Sequence, residues 1–382
     1  MAIPEGPPGT VAFVPDSVPR RLDLGISTVR LLSQAENALG RLQGSVGRMV
    51  NPYLIARPLL RREALISSRM EGTKTTAAKL VSWEARPVGH TDEETREVNN
   101  YIVALTHGLA ALKELPVCLR LIRDLHAKLL SGVRGERDAP GRFRIVQNFI
   151  GHSDIASARF VPPPPSELEP VLRDLEAFLN EEDTFETLPL LVRLALAHYQ
   201  FETIHPFEDG NGRVGRLLIP LTLHVAERLD SPTLYLSSFF EHHKRDYVDL
   251  MLAVSQTGAY EDWVQFFLKA VRTSAEESVR QAHRLTELRD RYHAKFHQAR
   301  SSALTLKLID NLFELPLITI GGVSSMLQVT PATAMNHIQR LVDVGIVAEV
   351  SGRSRDRQYL APELLRMTEP DDEQDSAEPA PR

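Results

Sequence analysis

Apolar residues recur at helical spacing along most of the chain, and breaks in that pattern mark where its elements end. From Asp23 to about His107 the stripe is interrupted by Gly40, Gly44, Gly47 and Pro52, which predicts several helices rather than one. Within this region Pro58 at a start and Gly72 just past an end bracket one helix. The run Leu190–Tyr199 is densely apolar, and Pro206 disfavours an α conformation at the residue before it, so this helix should end at about His205. Leu217, Leu218, Leu221 and Val225 resume a helical stripe, which leaves His205–Arg216 as a loop joining two helices.

Two short runs depart from helical spacing. Ile145–Gly151 and Arg159–Val161 flank a polar tip, after the turn-rich basic loop Gly135–Arg144, and predict a β-hairpin. Further on, Ser274–Arg300 is strongly charged yet keeps Leu285, Leu288, Tyr292 and Phe296 on one stripe, as a connecting helix would. Helices then begin at Leu304 and at Gly322, and Thr330 with Pro331 caps a third that continues to Val342. Ile346–Val350 and Gln358–Leu360 read as strands around a basic tip. The expectation is a mainly α-helical protein with a small β-hairpin and a C-terminal winged helix-turn-helix.

A length of 382 residues leaves room for two or three domains, and 43% hydrophobic with 25% charged residues is the balance of a soluble globular protein. The single cysteine, Cys118, excludes an intramolecular disulfide. Met1–Arg20 is rich in proline and lacks an apolar signal region, and the apolar run Leu217–Ala226 is too short to span a bilayer. A cytoplasmic protein without a membrane partner is therefore expected. A net charge of −6 gives no general indication of nucleic-acid binding. His198 and His205 lack a third ligand nearby, which argues against zinc.

The loop from His205 to Arg216 reads H-P-F-E-D-G-N-G-R-V-G-R. Gly210 and Gly212 free the backbone for positive φ and close approach of phosphate oxygens. Backbone N–H groups around Asn211 open a helix, where donors and dipole favour an anion. Asp209 is a hard oxygen ligand suited to Mg²⁺. Arg213 and Arg216 share one helix face and can fork onto phosphates. Among these side chains only His205 could accept a hydroxyl proton near neutral pH.

This segment resembles the Fic motif, H-x-F-x-[DE]-G-N-G-R-x-x-R, at every defined position. Fic enzymes transfer AMP from ATP to a protein hydroxyl and release pyrophosphate. The resemblance implies that His205 is the catalytic base and that Asp209 holds Mg²⁺ with ATP as substrate. It also implies that Gly210, Asn211, Gly212, Arg213, Val214, Gly215 and Arg216 bind the nucleotide, with Phe207 anchoring the loop. Tyr247 resembles the position of an adenine-contacting aromatic, with a helix-surface tyrosine as the alternative. A related branch that phosphorylates carries lysine where Gly212 stands, so the glycine favours AMP transfer. Ser67-x-x-x-Glu71-Gly72 is similar to the family's inhibitory motif, whose glutamate would pair with Arg216 and block the site of the γ-phosphate. The predicted hairpin resembles the flap that grips the target, which places Phe149, Ile150, Gly151 and His152 at that surface.

The implied organisation is a proline-rich arm (1–20), an N-terminal helical region with the inhibitory motif (21–110) and a Fic-type catalytic core (111–273). A connecting helix (274–300), a winged-helix domain (301–365) that folds by itself and a disordered acidic tail (366–382) follow. Partners are then ATP and a protein target, the protein itself included, with homodimer formation open. Thr333, Asn336, His337 and Arg340 could face a DNA groove, with Arg353, Arg355 and Arg357 in the wing. One arginine and no lysine on that helix rank DNA below docking or dimerisation. Two other readings remain: removal of AMP by a water that Glu71 orients, and a winged-helix regulator whose Fic-type core senses a ligand.

Overall fold

The computed structural model describes residues 10–47, 52–85, 92–133, 139–151, 154–181, 187–297, 303–352 and 356–370. Its helices are α1 (Ile26–Gly47), α2 (Tyr53–Met70), α3 (Ala77–Ala85), α4 (Glu93–Ala111), α5 (Leu119–Leu129), α6 (Leu168–Asn180), α7 (Leu190–Ile204) and α8 (Asn211–Val225). They continue with α9 (Ser237–His242), α10 (Lys244–Thr257), α11 (Tyr260–His297), α12 (Ala303–Glu314), α13 (Ile320–Leu327), α14 (Pro331–Asp343) and α15 (Pro362–Thr368). Three strands, β1 (Leu317–Thr319), β2 (Ala348–Glu349) and β3 (Gln358–Leu360), complete the described elements. The chain divides into two units, Met1–Gln43 with Asn100–Glu276, and Gly44–Asn99 with Glu277–Arg382.

In the first unit α7 is apolar on nearly every side and correspondingly buried, which makes it the central helix. It packs against α6, α8 and α10, while α5 packs against α6 and α8. Gly215 lets α8 approach α7 closely, because a Cβ there would lie 2.2 Å from Glu202 Oε1. The expected connecting helix is the second half of α11, which starts at Tyr260 after Gly258 (φ 71°) ends α10. Buried Trp263, Phe267 and Val271 carry its apolar stripe back to that start.

Residues 10–20 of the proline-rich arm pack on the same unit. Ala12 and Val18 are buried, Phe13 N–H donates to the Val161 carbonyl at 2.8 Å, and Arg20 pairs with Asp174 at 2.8 Å. The predicted hairpin has one antiparallel bridge, Ile150 with Phe160, rather than two strands. Asp154 caps a short 3₁₀ turn, Ile155–Ser157, between its arms. The prolines after Val161 have no N–H to extend a ladder.

The second unit joins segments that the sequence separates. α2 packs against α12, α15 and α3, and buried Arg61 bonds Glu84 at 2.5 Å. The expectation of a self-contained C-terminal domain is therefore corrected. Residues Leu54 to Ser68 are buried almost throughout, and α12 and α15 supply much of their cover. α2 also starts at Tyr53 rather than at Pro58, which lies inside the helix. The proline leaves only the carbonyl four residues back, that of Leu54, without its helical donor.

β1, β3 and β2 form an antiparallel sheet in that order, with Ile318 and Glu349 both opposite Tyr359. α12, α13 and α14 belong to the same stretch of chain as this sheet. His337 does not face a groove: it is buried, with Nδ1 2.8 Å from Thr305 Oγ1. Asn336 and Arg340 are exposed and Thr333 is half-buried. Arg353, Arg355, His152 and the tail beyond Pro370 lie outside the described residues. Among the described residues no helix is long and apolar enough to cross a membrane.

Candidate active site

α7 ends at Ile204, and His205 adopts a left-handed conformation (φ 49°, ψ 60°) as its C-cap. A non-glycine residue rarely adopts this conformation, so surrounding contacts must hold it. Arg144 supplies several of them: its Nε donates to the His205 carbonyl at 2.8 Å, and its N–H donates to the Pro206 carbonyl at 2.9 Å. It also donates to the carbonyls of Val146, Pro163 and Ile204. Burial lowers the Arg144 pKa to about 10, so it stays cationic near neutral pH. The imidazole Nδ1 of His205 lies 3.2 Å from the Glu202 carbonyl. A carbonyl can only accept, so Nδ1 carries a proton, and the ring in its neutral form would hold its lone pair on Nε2.

The rest of the loop is closed by its own side chains. Asn211 Oδ1 accepts from the Phe207 N–H at 2.8 Å, and Asn211 Nδ2 donates to the Phe207 carbonyl at 2.9 Å. Phe207 is fully buried, as an anchor requires. Gly210 starts α8 at φ 78°, and its N–H donates to Asp209 Oδ1 at 2.6 Å. Gly210 therefore shapes the turn, while Asn211 and Gly212 begin the helix, where N–H groups have no carbonyl four residues back. Asp209 is half-exposed, with Oδ2 3.3 Å from Arg213. Arg213 and Arg216 are buried, to 1% and 4% exposure, in the first turns of α8, whose start is the positive end of the helix.

His198 and Tyr247 lie behind this face. Tyr247 is neither on the surface nor open to a ligand over its ring, being only 6% exposed. Its ring stacks on Phe240 and its hydroxyl lies 2.8 Å from His198 Nε2. Burial, with Arg216 nearby, pushes the His198 pKa down to about 3. The ring is therefore neutral near neutral pH.

Three residues that motif reading missed hold the loop. His126 of α5 stacks on Phe207 with centroids 3.7 Å apart. Its Nδ1 accepts from the Gly141 N–H at 2.9 Å, so its Nε2 carries the proton and donates to the Asp209 carbonyl at 3.0 Å. Asn148 Nδ2 donates to the Phe207 carbonyl at 3.1 Å, which ties the hairpin segment to the loop, and Arg144 does the same from just before it. The one sequence signal for His126 is a polar residue on the buried stripe Ile122, Leu125 and Leu129.

Burial lowers the His126 pKa to about 4 from its usual 6.5. A depressed folded-state pKa contributes stability above the unfolded value, and this is lost as pH falls through the folded one. Denaturant unfolding should show a loss of about 2 kcal/mol from this group between about pH 7 and about pH 5. The loss should shrink in His126→Phe. Gly141 has φ 76°, and a Cβ there would lie 3.1 Å from the Arg123 carbonyl oxygen. Gly141→Ala is therefore expected to lower stability by about 1–2 kcal/mol, read as a lower urea midpoint.

Residues 116–223 match the Fic/DOC family, and residues 29–110 match the Fic/DOC family N-terminal region. The chain carries a Fic domain. Its loop from His205 to Arg216, its α7 and all but the last two residues of α8 lie in the matched segment. Similar curated proteins include protein adenylyltransferase fic-1 of Caenorhabditis elegans, 35% identical over 102 residues, which are 27% of this chain and 18% of that protein. Protein adenylyltransferase Fic of Culex quinquefasciatus is 29% identical over 180 residues, 47% of this chain and 33% of its own length. The chain thus spans a third or less of these relatives. A Fic family protein from Desulfovibrio desulfuricans shares the fold at a TM-score of 0.58 and 21% identity, covering 89% of this chain and 97% of that one. A Fic domain-containing signaling protein from Bacteroides thetaiotaomicron does so at 0.52 and 19%, covering 68% and 97%.

Proposed function

We propose that this protein is an adenylyltransferase that moves AMP from ATP to a Ser, Thr or Tyr hydroxyl of a protein, itself included. The observation that carries this reading is the placement of His205, its Nδ1 on the Glu202 carbonyl, in the loop that leads into the start of α8, where Arg213 and Arg216 are buried. His205 takes the hydroxyl proton, the oxygen bonds to the α-phosphorus, and the bond to pyrophosphate breaks. Backbone N–H groups of Asn211 and Gly212 take the phosphate charge, with Arg213 and Arg216 beside them. Gly210, Val214 and Gly215 set the backbone that presents these donors. Tyr247 backs this wall through His198 (its role at adenine rests on position alone).

Asp209 fits Mg²⁺, since that ion commonly uses one or two carboxylates plus substrate phosphates, and this carboxylate is half-exposed. The ion would neutralise phosphate charge when bound with ATP. Phe149, Ile150, Gly151 and His152 grip the target in this reading, and Ile145 and Val146, earlier in the same segment, are exposed. Glu71 is the inhibitory residue in this reading, and competes with the γ-phosphate for Arg216. Its C-cap position supports that role, because the negative end of a helix disfavours a carboxylate and favours a cationic partner for it. Ser67, one turn back, is buried.

The decisive experiment is mass spectrometry of Glu71→Gly protein incubated with ATP and Mg²⁺. A covalent AMP adduct that depends on His205 supports the reading, and unmodified protein with ATP bound refutes it.

A further inference from the structure

The second unit contains a cavity of about 390 Å³ with a polar end and an apolar end. At the polar end Arg61 is 3% exposed, its Nε donates to Glu84, and one terminal nitrogen donates to the Glu314 carbonyl. The other, Nη1, is buried and has no acceptor among the described residues. A native fold rarely leaves a buried guanidinium nitrogen unsatisfied, so an acceptor beyond the described residues, such as a bound ligand or water, would complete it. Arg57 lines the same cavity one turn earlier on α2, half-buried and with no hydrogen bond or ion pair among the described residues. Of the two carboxylates nearby, Glu84 is engaged by Arg61, and Glu314 is exposed.

The start of α13 supports the same conclusion. Gly321 and Gly322 stand in its first turn, where glycine is less favourable for a helix than alanine. No neighbouring atom requires them: a Cβ at Gly321 would meet nothing within 4 Å, and one at Gly322 only Thr319 Oγ1 at 3.2 Å. Gly322 lines the cavity, so its bare Cα leaves room there beside the positive end of the helix. Leu317, Ile318, Val323 and Met326 supply apolar lining to the same cavity.

We propose that this cavity binds a small organic acid, with its carboxylate between Arg57 and Arg61 and its apolar body against Ile318 and Met326. The volume lies in the range of small-molecule sites. The apolar wall favours an organic acid over inorganic phosphate. The proposal does not depend on the chemistry assigned to the Fic loop, because binding is read directly.

The test is calorimetric titration of the full chain with octanoate, 1-octanol and inorganic phosphate. Octanoate should bind at one saturable site. The alcohol should bind at least about tenfold more weakly, and Arg57→Gln should weaken octanoate by about tenfold to a hundredfold, as loss of one charge-assisted contact implies. Met326→Trp should fill the apolar end and remove binding. Should Arg57→Gln fail to fold, Gly322→Leu serves instead and should also remove binding. Unsaturable octanoate uptake, equal affinity for the alcohol, equal affinity for phosphate, or octanoate binding unchanged in these variants would overturn the proposal.

Discussion

Replacing His205 with alanine should lower AMP transfer by about 10²–10⁴-fold while leaving ATP affinity nearly unchanged. The two readouts separate because the imidazole and the phosphate-facing groups are held by different contacts. The ring hangs from the Glu202 carbonyl, whereas the Asn211–Phe207 bonds and the start of α8 shape the anion-facing backbone. Equilibrium binding of a fluorescent ATP analogue and incorporation of labelled AMP measure them independently. Full transfer by the alanine variant would remove His205 from the mechanism. If ATP affinity fell together with transfer, the residue would instead be a brace for the loop.

Glu71→Gly should raise transfer by at least about tenfold. One charge-assisted contact to a phosphate is worth about 1.5–3 kcal/mol, or roughly a factor of 10–100 in rate when restored. A misaligned triphosphate can lose as much again, because the α-phosphorus is no longer in line with the attacking oxygen. The shorter carboxylate of Glu71→Asp should activate partially. Arg216→Ala should not activate, since it removes the inhibitory partner and the phosphate ligand together. Initial rates of labelled AMP incorporation across this series settle the matter. The inhibitory role is falsified if Glu71→Gly remains folded and no faster than the parent protein, and a slower rate would favour AMP removal by a water that Glu71 orients.

The loop was legible because its chemistry and its boundaries are both local. Pro206 predicts the end of one helix and the next was expected to open around Asn211, and the helices end at Ile204 and start at Asn211. The supports of that loop were much less visible. His126 reaches Asp209 across 83 positions of sequence, and Asn148 reaches Phe207 across 59, separations that no helical or strand period records. Pro58 misled because a proline near a helix start costs one hydrogen bond, which the tertiary packing of α2 outweighs. The shared core of α2 with α12 and α15 escaped for the same reason. An apolar face in a sequence announces that it needs a cover, not which distant segment provides it.

The division of the chain into two interleaved units sets an order in time. All residues of the Fic-loop unit have been made once Glu276 is added, whereas α12 and α15, two of the helices that pack against α2, lie in the 106 residues from Glu277 to Arg382. At ordinary elongation rates that remainder takes roughly 5–20 s. A nascent chain therefore possesses every group of the proposed transfer chemistry before it possesses α12 and α15, which hold the helix of Glu71. During those seconds the restraint proposed for Glu71 lacks two of the helices that cover α2.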